Sequence, residues 1–560
     1  MLRRTVLAYC VALGALGCAR RAAPPPADPA PLIRPDGRYD VTYRIAMPDP
    51  ASHLFEVSIE VAGVDVDTLD LQLPVWSPGR YARMDFARNV QRFAATAGGD
   101  TLRWDKGNGS LWRVATDGAR EVQIHYRVFA DNLSGTFSVL DTLHANWNGA
   151  SLFMYVVGHK PDPVKLVVTP PAGWHVINGA SLAVDQLEFT FPTYDHFIDT
   201  PTEVAPALDV DTMRVDGRLI RVVVHHGDAP IGAGEGRVNG VTNASAEAPR
   251  NGLRERFLRD VRRIVETEHR VLGPPPLETY TFLFNVGFPG GDGMEHLTST
   301  QIIDASPWRA ADTLLSGIET ASHEYFHAWN VKRIRPVALG PFDYTREQYQ
   351  PSLWVAEGWT QYYGEMTLHR AGIVDKAWLY RTIAGTVRYT SETPARLEMS
   401  ARMASFHAPF WDGAAAPMAT NRPAQFISYY TKGAALALLL DLKIRAASDG
   451  RRSLDDVLRV LKTRTWDART SDYYLPGRGY TEDDVERAAS DVMGENLHPW
   501  FTRYVGGVEE LPWAETLALA GITLTVREGE GGREYELSDT PTATAQQVRV
   551  REGWLKGSEE

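Results

Sequence analysis

His323-Glu324-Tyr325-Phe326-His327-Ala328-Trp329-Asn330 sits inside a run of helical periodicity over residues 310–330. An α-helix turns about 100° per residue, so side chains four apart stand about 40° apart on one face. His323 and His327 can therefore reach one ion. Glu324 follows the first of them and lies where it can take a proton from a water beside that ion. Ile318, Ala321, Phe326 and Trp329 mark the helix as a buried one. Two histidines and a carboxylate in apolar surroundings are costly unless coordinated or paired. The five-residue pattern alone also fits a solvated helix with two ordinary histidines, so a further ligand has to decide.

A zinc site that does chemistry takes three protein ligands and keeps a fourth position for water. The candidate third ligand is Glu357, in Trp354-Val355-Ala356-Glu357-Gly358-Trp359, on a second helical pattern over residues 353–370. A carboxylate there needs a partner, and a salt bridge in the core is the competing reading.

Outward from these helices, the chain divides by period. From residue 38 to about 224 the period is mostly two: Tyr39, Val41, Tyr43 and Ile45 alternate with polar neighbours, as do Phe55, Val57, Ile59 and Val61, and Val122, Ile124, Tyr126 and Val128. This predicts antiparallel strands with one face on a core, arranged as a β-sandwich. Residues 219–225 read as its last strand or as a strand leading onward. Near residue 240 the character changes. Residues 252–269 have helical spacing, 280–286 and 294–303 read as strands around a Gly-rich loop at 287–293, and 434–442, 454–461 and 481–493 read as helices. In the last 50 residues, 513–520 reads as a short helix, and 522–526 and 545–550 as strands.

The 560 residues are 44% hydrophobic and 23% charged, an ordinary globular balance, and the net charge of −12 argues against nucleic acid as a partner. Arg3 and Arg4 precede an apolar stretch, residues 6–17, too short to span a bilayer and of the form of an export signal. It ends at Ala15-Leu16-Gly17-Cys18, which resembles the lipobox of bacterial lipoproteins. On that resemblance Cys18 becomes a lipidated first residue, attaching the protein to a membrane behind a Pro- and Ala-rich tether; otherwise the protein is secreted or periplasmic. Cys10 and Cys18 are the only cysteines. With Cys10 lost in the signal, no intramolecular disulfide, thiolate metal site or cysteine nucleophile remains.

Taken with its exit Val331-Lys332-Arg333-Ile334-Arg335-Pro336, the histidine helix resembles that of the M61 family, the glycyl aminopeptidases, which belong with the thermolysin-like gluzincins and the M1 aminopeptidases. Glu357, 30 positions after His327, matches the M61 spacing, and Pro74-Val75-Trp76-Ser77-Pro78-Gly79-Arg80-Tyr81 is similar to a second M61 signature. The resemblance covers residues 38 to 510. With the export signal and the periods read above, it gives a multidomain α+β chain: signal peptide 1–17, tether 18–37, an N-terminal antiparallel β-sandwich-like domain 38–225, a short α/β tail 511–560 and, by the resemblance, a thermolysin-like, mainly helical zinc peptidase domain 240–510. It implies one Zn2+ per chain on His323, His327 and Glu357.

Gly293-Met294-Glu295-His296 resembles the G-x-M-E-N edge-strand motif of M1 enzymes, which makes Glu295 the group that meets a substrate's free α-amine. A surface acid after a Gly-rich turn is the plainer reading. Tyr430-Thr431-Lys432-Gly433 resembles their Y-x-K-G motif, which assigns Tyr430 to the oxyanion; a packing aromatic is the plainer reading there. Asn330 and Asp292 are polar neighbours that could steady the ligands. The implied activity is aminopeptidase action on peptides with a free N-terminus and a small first residue, Gly or Ala, with Glu324 as base. The rivals are a zinc endopeptidase on the same scaffold and a non-catalytic peptide-binding protein with a structural metal. M61 proteins usually carry a C-terminal PDZ domain; the 48 residues after Pro512 show no carboxylate-binding loop, so the expectation is a reduced or diverged PDZ-like remnant, or none. Residues 391–421 read as a loop over the cleft.

Overall fold

The computed structural model describes residues 38–181, 183–227, 241–243, 252–308, 313–412, 422–468 and 478–557. The signal, Cys18 and the tether lie outside the described residues.

Alternation builds the N-terminal sheets. Val41, Tyr43 and Ile45 of Asp40–Ala46 point inward, as do Phe55, Val57, Ile59 and Val61 of Leu54–Ala62 and Val122, Ile124, Tyr126 and Val128 of Glu121–Phe129. A strand turns successive side chains to opposite faces, so each presents one apolar side. Seven strands form the largest sheet, in the order Glu188–Phe191, Val164–Thr169, Asp40–Ala46, Leu54–Ala62, Glu121–Phe129, Val90–Ala97, Asp100–Thr101. Its pairs are antiparallel with one exception: Asp40–Ala46 runs parallel to Val164–Thr169. Parallel neighbours need a long crossover. The chain between those two strands supplies it, adding strands to two further four-stranded sheets. Tyr43 and Ile59, Leu71 and Val114, and Trp147 and Val204 bring all three sheets into one core, the sandwich-like layering expected.

Residues 219–225 lie within Arg218–His226, in the middle of a six-stranded sheet ordered Val241–Asn243, Leu208–Val215, Arg218–His226, Thr279–Val286, Ser299–Asp304, Gly291–Glu295. The stretch expected as one strand over 294–303 is two. The Gly-rich segment itself forms the edge strand Gly291–Glu295, and the chain turns back at His296, whose N–H donates to Ser299 O at 2.9 Å. Gly252–Leu272 lays Phe257, Val261, Ile264 and Val265 on Phe282 and Phe284 of this sheet.

The rest is mainly helical. The histidine helix, Leu315–Phe326, crosses Gly358–Arg370, and that helix crosses Tyr429–Ala447. At the second crossing a Cβ on Gly358 would stand 2.4 Å from Gly433 Cα, so only two glycines allow it. The single helix expected over 353–370 is broken at Glu357 into Leu353–Ala356 and Gly358–Arg370. Over 391–421, the described part holds the short helices Pro394–Leu397, Ala401–Phe406 and Ala408–Trp411; residues 413–421 lie outside the described residues. No helix among the described residues is long and apolar enough to cross a membrane.

The tail pairs Ile522–Gly529 with Gly532–Asp539, then forms a helix, Ala545–Lys556, where a strand was expected at 545–550. Val548 and Val550 mimic a period of two, but Thr544 and Gln547 close a capping box, satisfying two backbone donors of the first turn. The helix then buries Val550 and Trp554, four apart. Trp554 is 0% exposed, and its indole N–H donates to Tyr362 Oη at 3.0 Å, whose own hydroxyl donates to Asp441 at 2.7 Å. Replacing a buried tryptophan by alanine removes packing and leaves a cavity, so Trp554→Ala should cost about 3 to 5 kcal/mol of stability. Denaturant unfolding of the full chain measures it; a loss below about 1 kcal/mol would show that the tail is not packed as described.

Candidate metal centre

His323 projects from the last turn of Leu315–Phe326, and His327 caps its end in helical conformation, so the four-residue spacing survives the helix terminus. The imidazole Nε2 atoms come to 3.0 Å, and Glu357 Oε2 lies 3.5 Å from the first and 3.3 Å from the second. His327 and Glu357 are 1% and 2% exposed. Glu357 reaches them because the helix break places it at the head of Gly358–Arg370, whose Gly364 carbonyl accepts from Ser322 Oγ at 3.0 Å next to His323.

The tautomer of His327 follows from its partner. Nδ1 lies 2.7 Å from the backbone carbonyl of Asn330, which can only accept, so Nδ1 carries a proton and Nε2 is the nitrogen turned to the ligand set. On a neutral ring its lone pair would face Glu357 Oε2, another acceptor, an arrangement that is repulsive unless positive charge, a proton or a metal ion, sits between. Burial opposes a charged imidazole here, yet Glu357, Glu295 and Glu324 together push the His327 pKa up to about 9. Burial lowers the His323 pKa, with Glu357 opposing. For Glu357, burial would raise the carboxyl, but the facing His327 and His323 hold it well below the usual carboxylate range. Two imidazole nitrogens and one carboxylate oxygen at these separations fit a tetrahedral zinc ion with one position left over. They would hold it through His323 Nε2, His327 Nε2 and Glu357 Oε2.

A second buried group, His144, Glu203 and His225, also gathers its donor atoms within 4.8 Å. Its chemistry differs. Both Nδ1 atoms face Glu203 Oε1, at 2.9 and 3.2 Å, and the side-chain amides of Asn146 and Asn285 donate to Oε2 at 2.8 and 3.3 Å. Every contact there can match a proton donor to an acceptor. Burial would raise the Glu203 carboxyl, but the imidazoles bring it down to about 2. Hydrogen bonds alone satisfy this cluster, so it ties the N-terminal sheets to Arg218–His226 and Thr279–Val286.

Glu324 and Tyr430 face the same cleft, of about 710 Å³, that the three ligands line. The edge strand enters it closely. A Cβ on Gly293 would lie 2.1 Å from Glu324 Oε1, so this position must be glycine for the strand to pass the glutamate. Burial pushes the Glu324 carboxyl well above its ordinary range; His327 opposes the rise, and Glu295 and Glu357 add to it. The Tyr430 ring stacks at 6.0 Å on His323, at the start of a helix capped by Ser428 Oγ. Burial raises the Tyr430 phenol well above 10, so its hydroxyl keeps its proton and can donate. Glu295 is 4% exposed, and Oε1 of its carboxylate has no hydrogen-bond partner among the described residues. It shares a group within 4.8 Å with Glu324 and His327.

Asn330, besides holding His327, donates through its side-chain amide to the Val355 and Ala356 carbonyls at 3.0 and 3.3 Å, bracing the break that carries Glu357. Asp292 is drawn elsewhere: it pairs with Arg80 and accepts from Gly135 N–H at 2.9 Å. His296 turns away from the cleft to Asp199, at 2.9 Å, which Lys332 also meets at 3.2 Å. Arg80 lines the cleft and Tyr81 reaches its ligand set, although their residue types and local pattern point to no site. Tyr81 is buried, and its hydroxyl donates to Glu357 Oε1. Their only sequence signal was the Pro74–Tyr81 signature, some 280 residues from the ligand it touches.

Two family models match the chain: the Peptidase M61 N-terminal domain over residues 42–206, and M61 glycyl aminopeptidase over residues 316–436. Among solved structures, the chain is similar to an aminopeptidase N family protein from Idiomarina loihiensis, at 26% identity and a TM-score of 0.76, over 87% of this chain and 79% of that one. It also matches an M1 zinc metallopeptidase from Deinococcus radiodurans, at 15% identity and a TM-score of 0.48, over 85% of this chain and 94% of that one. No curated protein matches the sequence.

The contrast between the two histidine clusters can be tested by metal content. Glu357→Gln should lose tightly bound zinc, and Glu203→Gln should keep one equivalent per chain. Elemental analysis of protein never exposed to chelator distinguishes them; zinc lost with Glu203 and kept without Glu357 would reverse the assignment.

Proposed function

This chain belongs to the M61 peptidase family and is a zinc metallopeptidase, and from that premise we propose that it is an aminopeptidase removing small N-terminal residues. The observation that carries the aminopeptidase reading is the Glu295 carboxylate. It is buried at the end of the edge strand, beside the base and the ligand set, with Oε1 unpartnered among the described residues. A buried carboxylate oxygen without a donor is costly, and the α-ammonium of a peptide is a partner that repays it.

The chemistry follows from the residues in order along the cleft. Zinc, when bound, supplies Lewis-acid polarisation of the carbonyl and makes a nearby water more acidic. Glu295 pairs with the substrate ammonium and so sets which peptide bond reaches Glu324. Glu324 takes one proton from the attacking water, whose oxygen bonds to the carbonyl carbon. Its raised carboxyl suits it to keep that proton and pass it to the leaving nitrogen as the C–N bond breaks. The Tyr430 hydroxyl donates to the oxygen on which negative charge develops. The preference for Gly or Ala rests on the family description alone.

Two outcomes test this. Glu324→Gln should retain zinc and lower kcat by about 100- to 10,000-fold, the usual contribution of a general base; unchanged turnover would remove Glu324 from that role. Glu295→Ala should lower kcat/KM for a free dipeptide amide by about 30- to 1,000-fold, the loss expected for a buried charge partner. It should leave the slow cleavage of the N-acetylated peptide nearly unchanged. Equal losses on both substrates, or wild-type enzyme that prefers the blocked peptide, would turn the reading to an endopeptidase.

A further inference from the structure

We propose that Tyr81 is a positioning residue of the metal centre, so that a loop of the N-terminal β-sheet region completes the ligand set; this rests on the zinc peptidase reading above. The Glu357 carboxylate has two oxygens and two tasks. Oε2 faces both imidazoles, and Oε1 accepts the hydrogen bond from the Tyr81 hydroxyl. Among the described residues, no other side chain outside the ligand set hydrogen-bonds this carboxylate. The backbone around it is held, by Glu357 N–H to Leu353 O at 2.7 Å and by the Asn330 amide on the preceding carbonyls. The side-chain torsions are left to Tyr81. With Oε1 engaged, one oxygen and not two is presented to the imidazoles.

A group can orient another only if it is fixed itself, and residues 77–81 are fixed from several sides. Tyr81 is 2% exposed; its backbone N–H donates to Asp412 Oδ2 at 2.8 Å, and its ring meets Tyr429 edge-on at 6.4 Å. Arg80 pairs with Asp292 on the edge strand and donates to Thr136 Oγ1 at 2.7 Å. Gly79 has φ +91, and a Cβ there would stand 2.2 Å from Met294 Sδ and 2.8 Å from Glu295 Oε2. The loop is thus wedged against the edge strand by a residue that must be glycine both for its left-handed backbone and for lack of space. Below it, the Trp76 indole donates to Asp343 O at 2.7 Å from a buried site. One five-residue loop therefore touches the strand bearing Glu295, the third ligand and the helix start bearing Tyr430.

Hydrogen-bond partners of ligands set their orientation and basicity, and losing one typically costs 10- to 100-fold in metal affinity. Tyr81→Phe removes one oxygen and keeps the ring against Tyr429. In the full-length chain, zinc affinity measured by competition with a chromophoric chelator should fall about 10- to 100-fold. The unfolding temperature of the zinc-free protein should stay within a degree or two of wild type, which separates loss of a ligand partner from loss of fold. Gly79→Ala, which keeps the hydroxyl and displaces the loop, should weaken zinc binding in the same direction. Zinc affinity of Tyr81→Phe within twofold of wild type overturns the assignment, whatever happens to turnover. A wild-type protein that takes up no zinc overturns the peptidase reading, and this assignment with it.

Discussion

His327 Nε2 and the charge on Glu357 Oε2 face one another at 3.3 Å inside the protein, with His323 Nε2 beside them. Such a meeting requires positive charge between the atoms, a proton or a metal ion, and folding brings the chain into it. Two helices, a helix break and a capping residue are all arranged so that these three atoms cannot relax apart. The proton on His327 Nδ1 is held by the Asn330 carbonyl, and the Asn330 amide holds the break at Glu357. One residue thus fixes the direction of one ligand and the backbone of another, so the binding energy of an ion is not spent on ordering its own site.

The other buried acids clarify what is unusual here. Glu203 meets two imidazoles and two amides, Asp199 meets His296 and Lys332, and Asp441 meets Arg445 and Tyr362. Each is matched by donors, as a buried charge requires. Glu295 and Glu324 are the exceptions around the cleft, each with an oxygen unpartnered among the described residues. Unsatisfied buried carboxylates are costly to fold and useful to a reaction. On the proposed aminopeptidase reading, they are the groups that a substrate ammonium and a water proton would satisfy.

The N-terminal sheets belong to the same arrangement. Their loop at residues 77–81 packs on the edge strand through Gly79 and meets Glu357 through Tyr81. Their Glu203 is joined to His225 and Asn285 of the neighbouring sheet. The tail is joined to the other side of the helical region through Trp554 and Tyr362.

Where a local period was long and regular, it was legible in the sequence. Alternation at Val41, Tyr43 and Ile45 required a half-buried strand, and the spacing of His323 and His327 placed both rings on one helical face, because both are properties of backbone geometry over a few residues. The apolar setting of Glu357 marked it as the candidate third ligand, and resemblance to a family supported it and added roles for Glu295 and Tyr430. The remaining features were set by contacts distant along the chain or by balances a pattern does not show. Val548 and Val550 suggested a strand until a capping box and the burial of Trp554 made a helix. Gly358, just after the break, packs against Gly433, Asp292 is drawn to Arg80, and Tyr81 finds its partner 276 residues later. No periodicity carries such a pairing, since it exists only after separate segments have packed and their polar groups have had to find donors and acceptors in the absence of water.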